Sequence, residues 1–171
     1  EGPPDAKIMF IGEGPGFHED QQGRPFVGAA GQFLEQLLAS INMIRQQVYI
    51  ANVIKCRPPN NRDPLPDELE TCRPFLNQQI AFIKPRLIVT LGRHSMALAF
   101  SDVSISRIHG QPKRIGDTVY FPMFHPAAAL HQPSYRALIE RDMLKIPQIL
   151  ADLEAIKPSP DQPPPQQLSL F

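Results

Sequence analysis

The chain has 171 residues, of which 42% are hydrophobic and 20% are charged, and its formal net charge is zero. A chain of this length is long enough for one domain with a single hydrophobic core. No apolar run approaches the roughly 20 residues that cross a bilayer, residues 1–5 (EGPPD) do not resemble a signal peptide, and zero net charge gives no overall basic signature of a nucleic-acid partner. We therefore expect a cytoplasmic protein without a membrane partner.

The first part of the chain predicts a strand, a glycine-rich loop, a helix and a second strand. Residues 7–11 (KIMFI) are apolar and β-prone, and the glycines and proline of residues 12–16 (GEGPG) exclude regular structure after them. Apolar residues at helical spacing predict a helix around residues 33–38, and residues 48–54 (VYIANVI) predict the second strand. Because the chain does not begin with Met and little precedes its first strand, we expect a fragment that lacks the natural N-terminus.

A proline-rich loop and a helix follow. Residues 56–66 (CRPPNNRDPLP) contain four prolines and two adjacent asparagines, which exclude helix and sheet. Pro66 and the two acidic residues after it suit the first turn of a helix, whose apolar face continues to residue 83 and which carries Cys72. Without an export signal, Cys56 and Cys72 argue against a disulfide and leave metal binding, catalysis or packing as interpretations.

The rest of the chain continues the alternation of strands and helices. It predicts a buried strand (residues 87–91), a turn (92–95), a short helix (96–100), a fourth strand (118–124) and a final helix (135–156). This order predicts an α/β fold with a mainly parallel four-stranded sheet covered by helices on both faces. We assign residues 1–156 to one domain, and we predict that the proline-rich residues 157–171 form a disordered tail.

Three segments follow predicted strands at the same edge of this sheet: GEGPG, NVIKC and HPAAALH. Loops at the carboxyl ends of parallel strands converge, so we expect one pocket there. The glycine loop alone would also suit a phosphate cradle or a simple turn. A Rossmann-type nucleotide site is disfavoured because its GxGxxG spacing needs a third glycine that is absent here.

Three longer segments, GEGPGFHEDQQGRPFVGAAG, NVIKCRPPNNRDPLPDELETC and HPAAALHQP, resemble the signature segments of family 4 uracil-DNA glycosylases, in the same order across residues 7–155. The resemblance implies a three-layer α/β/α sandwich around the mainly parallel four-stranded sheet. It also implies a base-excision repair enzyme that hydrolyses the N-glycosidic bond of uracil in DNA, releases uracil and leaves an abasic site. Uracil-containing DNA is then the partner, and we expect a monomer associated with the nucleoid.

The resemblance assigns residues to uracil binding. Phe26 would stack on the uracil ring, and the Asn52 amide would pair with N3–H and O4, an edge that cytosine presents with the opposite pattern. Backbone N–H groups around Gly14 would line the same pocket. His125 would donate to O2, where negative charge develops. Outside these motifs, a strand-end asparagine more often satisfies backbone groups, and a histidine at this place more often caps a helix or lies in the core.

Carboxylates near the sugar would orient the attacking water and stabilise the positive charge that develops on the sugar. Glu13 and Glu19 are the acids in range, with either a catalytic or a structural role. The family pattern adds Asn61 as a polar helper. Leu130, His131 and Gln132 lie on a predicted loop that would enter the minor groove, with Leu130 as an apolar wedge or, alternatively, as a buried leucine.

The cofactor implied by the resemblance is a 4Fe-4S cluster. Cys56 and Cys72 occupy two of its four ligand positions, and the family supplies the other two thiolates from a CxxC-type segment upstream of the first strand. That segment is not in this sequence, so we expect that the fragment as given does not hold the cluster in its usual form. Two reduced core cysteines are the alternative.

The end of the chain, QQLSLF, resembles the short peptide with which bacterial repair proteins dock on the β sliding clamp. Its residues are Gln167, Leu168, Leu170 and Phe171, at the end of a proline-rich tether. The alternative is an apolar terminus without a partner. For the whole chain, the alternative to an enzyme is a non-catalytic module that binds DNA or a damaged base.

Overall fold

The computed structural model describes residues 1–155 of the chain and contains one five-stranded sheet. The strands are β1 (Ile8–Gly12), β2 (Tyr49–Asn52), β3 (Leu87–Leu91), β4 (Lys113–Ile115) and β5 (Thr118–Met123). They lie in the order β2-β1-β3-β5-β4, and only β4 runs antiparallel to its neighbour. The four predicted strands are confirmed and form the parallel part of the sheet.

Helices connect the strands. They are α1 (Phe17–Gln22), α2 (Ala29–Ser40), α3 (Pro66–Ile83), α4 (Arg93–Met96), α5 (Ile105–Ile108), α6 (Pro126–His131), α7 (Ser134–Met143) and α8 (Ile146–Ala155). Two short 3₁₀ helices, Arg45–Gln47 and Pro59–Asn61, add to them. The helix that carries Cys72 is confirmed as α3.

The sheet is buried on both faces, which accounts for the continuous apolar run of β1. Ile8 and Phe10 point into a core that contains residues of α2, α7 and α8, whereas Met9 and Ile11 point into a second core with residues of α3. Side chains alternate between the two faces of a strand, so helices must cover both. The α/β/α sandwich is therefore confirmed, with five strands in place of four.

The fifth strand, β4, was not predicted because its three residues, Lys113–Ile115, are all exposed. It pairs with β5 through a hairpin at Gly116, which lies in the left-handed region with a φ of 59°. A short charged strand at the edge of a sheet buries no apolar face and leaves no periodic signal. The hairpin places β4 far from the carboxyl edge of the parallel strands.

Several helix predictions were wrong at their boundaries. Residues 93–96 are helical and residues 97–100 are not, the reverse of the prediction, because the chain turns at Gly92 with a φ of 90° and the helix begins immediately. The predicted final helix is two helices, α7 and α8. Pro147 lacks an N–H and its ring crowds the preceding turn, which disfavours one continuous helix, and the helix breaks at Leu144 and Lys145.

The HPAAALH segment was predicted as a loop, but residues 126–131 form the helix α6. Proline suits the first position of a helix, and three alanines follow it, so local propensity explains the correction. The helix α1 was not predicted either. No helix in residues 1–155 is long and apolar enough to cross a membrane. The predicted tail and its clamp-binding residues lie outside the described residues.

Candidate active site

The carboxyl ends of β1, β2 and β5 bring the three predicted segments together. Gly12 at the end of β1 pairs in register with Asn52 at the end of β2, and His125 follows two residues after β5. A cavity of about 350 Å³ opens at this edge. Its lining contains Glu13, Gly14, Pro15, Gly16, Glu19, Phe26, Ala30, Ile54, Pro58, Asn61, Arg62, His125, Ala127 and His131. Seven of these residues were predicted as site residues: Glu13, Gly14, Glu19, Phe26, Asn61, His125 and His131.

Asn52 lines an adjoining cavity of about 230 Å³, which shares Pro15, Glu19 and Ile54 with the first. Its side chain is buried, and its Oδ1 has no hydrogen-bond partner in the described part of the chain. An unsatisfied buried polar atom costs about 1–3 kcal/mol. A strand-end asparagine that only satisfied backbone groups would not leave this oxygen unpaired.

The end of β2 is held by Lys55 and Gln79. Lys55 Nζ donates to the Asn52 carbonyl and to Gln79 Oε1, both at 2.7 Å. Burial lowers the pKa of Lys55. These contacts fix the backbone of Asn52 and leave its amide free to face the site.

Phe26 lies against Gly12 in a left-handed backbone conformation with a φ of 53°. This region is unfavourable for an aromatic residue and costs of the order of 1–3 kcal/mol. A Cβ on Gly12 would lie 2.6 Å from both the Phe26 ring and Asn52 Oδ1, so only glycine lets both side chains pack against the backbone there. The Phe26 ring also stacks on His125, with ring centroids 5.5 Å apart and an interplanar angle of 28°.

His125 is the N-cap of α6, and its Nδ1 accepts a hydrogen bond from the Ala127 N–H at 3.1 Å. Burial lowers the pKa of His125 to about 4, and the Glu19 carboxylate opposes this shift. The ring is therefore neutral at pH 7. Because Nδ1 is an acceptor, the proton of the neutral ring belongs on Nε2, which is then a donor.

Glu13 is the centre of a small charged cluster. Its Oε2 lies 3.7 Å from His94 Nε2, and Asp63 forms an ion pair with Arg93 beside it. Burial raises the pKa of Glu13, with His94 opposing this shift and Asp63 adding to it. Glu13, Asp63 and His94 have ligand atoms within 4.8 Å of one another and could approach a divalent cation, but they contain no thiolate for an iron-sulfur cluster.

Glu19 has a clear positioning contact. Its Oε1 accepts hydrogen bonds from the N–H groups of Val27 and Gly28, at 2.8 and 2.7 Å. Burial opposes ionisation of Glu19, but these backbone hydrogen bonds outweigh it and lower its pKa. Glu19 is therefore an ionised group at the start of α2 and also lines both cavities.

The remaining predicted residues lie around the rim. Asn61 is exposed and its Oδ1 accepts from Arg57 Nε at 2.6 Å. Leu130 is 51% exposed, which excludes the alternative of a buried leucine. His131 and Gln132 are exposed at the end of α6, so these residues lie on a helix terminus and not on a loop.

The two cysteines line a third cavity of about 240 Å³, which shares Ile54 and Pro58 with the first. Its lining includes Ile54, Cys56, Arg57, Pro58, Asp67, Glu68, Thr71 and Cys72. Cys56 is exposed and Cys72 half-buried, and the Lys55 N–H donates to Cys72 Sγ at 3.3 Å. Two thiols at one cavity, one of them already receiving a backbone hydrogen bond, fit half of the ligand set of a 4Fe-4S cluster.

Comparisons with known proteins decide the family. A family model described as the uracil DNA glycosylase superfamily matches residues 1–152. The chain belongs to this superfamily. The type-4 uracil-DNA glycosylase of Sulfurisphaera tokodaii is 49% identical over 156 residues, covering 85% of this chain and 71% of the relative. The proteins of the same name from Saccharolobus solfataricus and Archaeoglobus fulgidus are 45% identical (88% of this chain, 74% of the relative) and 47% identical (82% and 75%).

Sequence reasoning missed three side chains that shape this glycosylase site. They are Arg45, which binds the backbone at Phe26, His94, which lies beside Glu13, and Lys55, which holds the end of β2. Arg45 and His94 lie outside the quoted motifs, and Lys55 lies inside NVIKC, where no role was assigned to it. His94 and Lys55 were visible only as residues next to predicted strand ends.

Proposed function

We propose that the chain excises uracil from DNA by hydrolysing its N-glycosidic bond, which releases uracil and leaves an abasic site. The relatives above carry the name type-4 uracil-DNA glycosylase. One observation carries the proposal: Asn52 Oδ1, which has no partner among the described residues, and the Phe26 ring both lie against Gly12, and that ring stacks on the neutral His125. A flipped base must be recognised by its edge and its face, and these groups offer both.

Recognition of the uracil edge falls to Asn52. Its Oδ1 accepts from N3–H and its Nδ2 donates to O4, whereas cytosine presents an acceptor at N3 and a donor at C4. The base therefore satisfies the buried oxygen that has no partner within residues 1–155. Phe26 stacks on the ring, and the backbone around Gly14 closes the pocket.

Cleavage breaks the C1′–N1 bond, and its electron pair leaves with the uracil. Negative charge develops on O2, where the Nε2–H of His125 donates a hydrogen bond. A neutral imidazole suits this role because it is already a donor at pH 7. The low pKa of His125, about 4, supports this assignment.

Water then adds to the sugar carbon and gives up a proton. Glu13 is suited to accept it, because burial raises the pKa of this carboxyl towards the range of a general base. Glu19 stays ionised and stabilises the cationic sugar while it holds the start of α2. Asn61, oriented by Arg57, helps to place the water.

Contact with DNA is made by the end of α6. The exposed Leu130 fills the gap left by the flipped nucleotide, and His131 and Gln132 contact the adjacent backbone. A monomer is sufficient for this arrangement, because every proposed site residue comes from one chain. We place the protein at the bacterial nucleoid in the cytoplasm, where its substrate is.

Cys56 and Cys72 would supply two of the four thiolates of a 4Fe-4S cluster. Bound there, the cluster would fasten the proline-rich loop to α3 and have a structural role. In a longer form of the protein that also supplies the other two thiolates, bound iron and acid-labile sulfide should fall to background in Cys72→Ser. Unchanged iron in that variant would remove Cys72 from the ligand set.

Cleavage of a labelled oligonucleotide that contains one uracil tests the function. Alkali breaks the abasic site, so the unmutated chain should give a strand break at the uracil and none in the matched thymine oligonucleotide. His125→Ala should reduce the single-turnover rate by about 10²-fold or more, as the loss of one oxyanion donor does. Tight uracil-dependent binding without strand breaks would instead favour a non-catalytic module.

A further inference from the structure

The left-handed conformation of Phe26 needs an explanation in the protein around it. An aromatic residue leaves this region unless neighbouring groups hold it there. Gly31 of α2 packs so closely on the Phe26 carbonyl that a Cβ at position 31 would overlap it. This contact fixes one side of the peptide but does not satisfy its oxygen.

Arg45 supplies the missing partner. It lies in the 3₁₀ helix before β2, far from Phe26 in sequence, and its side chain is only 9% exposed. Its Nη1 donates to the Phe26 carbonyl at 2.8 Å, and its Nη2 donates to the Pro25 carbonyl. One planar guanidinium thus binds two consecutive carbonyls, a geometry that a lysine ammonium cannot reproduce.

Acidic partners compensate the buried charge. Arg45 Nε lies 3.3 Å from Glu1 Oε1, and Arg45 Nη1 lies 3.8 Å from Glu35 Oε1. On the other side of Phe26, Glu19 binds the N–H groups of Val27 and Gly28. The backbone at Phe26 is therefore held from both sides. The Arg45 guanidinium binds the carbonyls of Pro25 and Phe26, and the Glu19 carboxylate binds the N–H groups of Val27 and Gly28.

We propose that Arg45 is a positioning residue for base recognition, which holds Phe26 in the strained conformation that presents its ring to the extruded base. This inference rests on the proposed function. Arg45 lines neither cavity at the site, so its effect passes through Phe26. The backbone conformation of Phe26 sets two contacts of its ring, the packing against Gly12 and the stacking on His125.

A double-mutant cycle on excision tests the proposal. Arg45→Ala should lower kcat/KM at least tenfold, and Arg45→Lys should fall between it and the unmutated chain. In a Phe26→Ala background, Arg45→Ala should cost less than twofold more, because the ring that it positions is already gone. Arg114→Ala, an exposed arginine on β4, is the matched control and should leave the rate unchanged. Independent losses that multiply in the double variant would overturn the proposal.

A second readout does not depend on uracil excision. In protein labelled with ¹³C-histidine, the His125 ring signals carry a ring-current shift from the stacked Phe26. Arg45→Ala should move these signals towards those of Phe26→Ala, with circular dichroism showing that the fold is kept. Unchanged His125 signals in Arg45→Ala would contradict the inference. If the unmutated chain excises no uracil, the proposed function fails, and these signals still decide whether Arg45 holds Phe26.

Discussion

At the scale of single residues, the site contains groups in energetically unfavourable states. Asn52 Oδ1 is buried without a partner in the described residues, and Phe26 has an unfavourable backbone conformation. His125 is neutral because it is buried. Features of this kind cost stability and are found where a ligand or a reaction uses them.

Asn52→Asp is predicted to impair excision far more than folding. The carboxylate keeps the shape of the side chain but removes the donor to uracil O4 and repels that oxygen. Loss of a buried hydrogen bond to the substrate, with repulsion added, should lower kcat/KM for uracil by about 10²-fold or more. Single-turnover excision with Asn52→Asp measures this effect, and activity within threefold of the unmutated chain would remove Asn52 from recognition.

The buried His125 should make stability depend on pH. Its pKa is about 4 in the folded chain and about 6.5 when unfolded, so the unfolded state binds a proton first as the pH falls. The stability due to the neutral ring is complete above pH 6.5 and is lost between pH 6.5 and about 4.

Urea unfolding at several pH values should therefore show a decrease of about 1.2 kcal/mol from this group between pH 6 and 5. His125→Gln removes the titrating ring and should make the slope in this window smaller by that amount. An identical slope in the variant would show that other groups cause the pH dependence.

At the scale of elements, the parallel core and its site edge followed from sequence, whereas the exposed and irregular parts did not. β1 and β3 are continuous buried runs, so period and composition identified them. β4 has no buried residue, and α6 lies in a segment that motif recognition treated as a loop. β4 lacks the alternating burial that identifies a strand, and α6 has a helix propensity that the motif-based prediction passed over.

Long-range contacts between side chains form the second part that sequence could not predict. Asn52, Phe26 and His125 could be proposed from motifs, but the contact of Arg45 with Phe26 depends on tertiary packing. The same holds for His94 beside Glu13. No local pattern encodes such a contact, because its partners are set by how α2, α4 and the 3₁₀ helix before β2 pack on the sheet.

Because α2 packs on the loop that carries Phe26, we predict that Gly31→Ala lowers stability, the opposite of what helix propensity alone predicts. Gly→Ala inside a helix ordinarily stabilises by about 1 kcal/mol. At Gly31 the added methyl would overlap the Phe26 carbonyl, so Gly31→Ala should destabilise the chain by about 1–3 kcal/mol and slow excision. Chemical denaturation measures the first effect, and a gain in stability would show that the loop does not pack here.

At the scale of the whole molecule, the proposed chemistry and the proposed clamp docking belong to different parts of the sequence. The described residues 1–155 contain every proposed catalytic and base-binding group. The QLSLF end lies outside them, and its role is proposed from sequence alone: docking on a β sliding clamp, which would raise the local concentration of the enzyme on DNA.

Removal of residues 167–171 should abolish binding to the clamp while excision on a short oligonucleotide stays within twofold. Clamp immobilised on a biosensor surface measures the first effect, and Gln162→Ala in the linker is the matched control. Undiminished clamp binding by the truncated chain would refute the docking role without affecting the proposed chemistry.

The most direct test of the central claim is a crystal structure of the chain with uracil bound. We predict that the base stacks on Phe26, with Asn52 Oδ1 and Nδ2 within hydrogen-bond distance of N3 and O4 and His125 Nε2 within hydrogen-bond distance of O2. Uracil bound away from Phe26, or with Asn52 Oδ1 still unpaired, would contradict this account of the site.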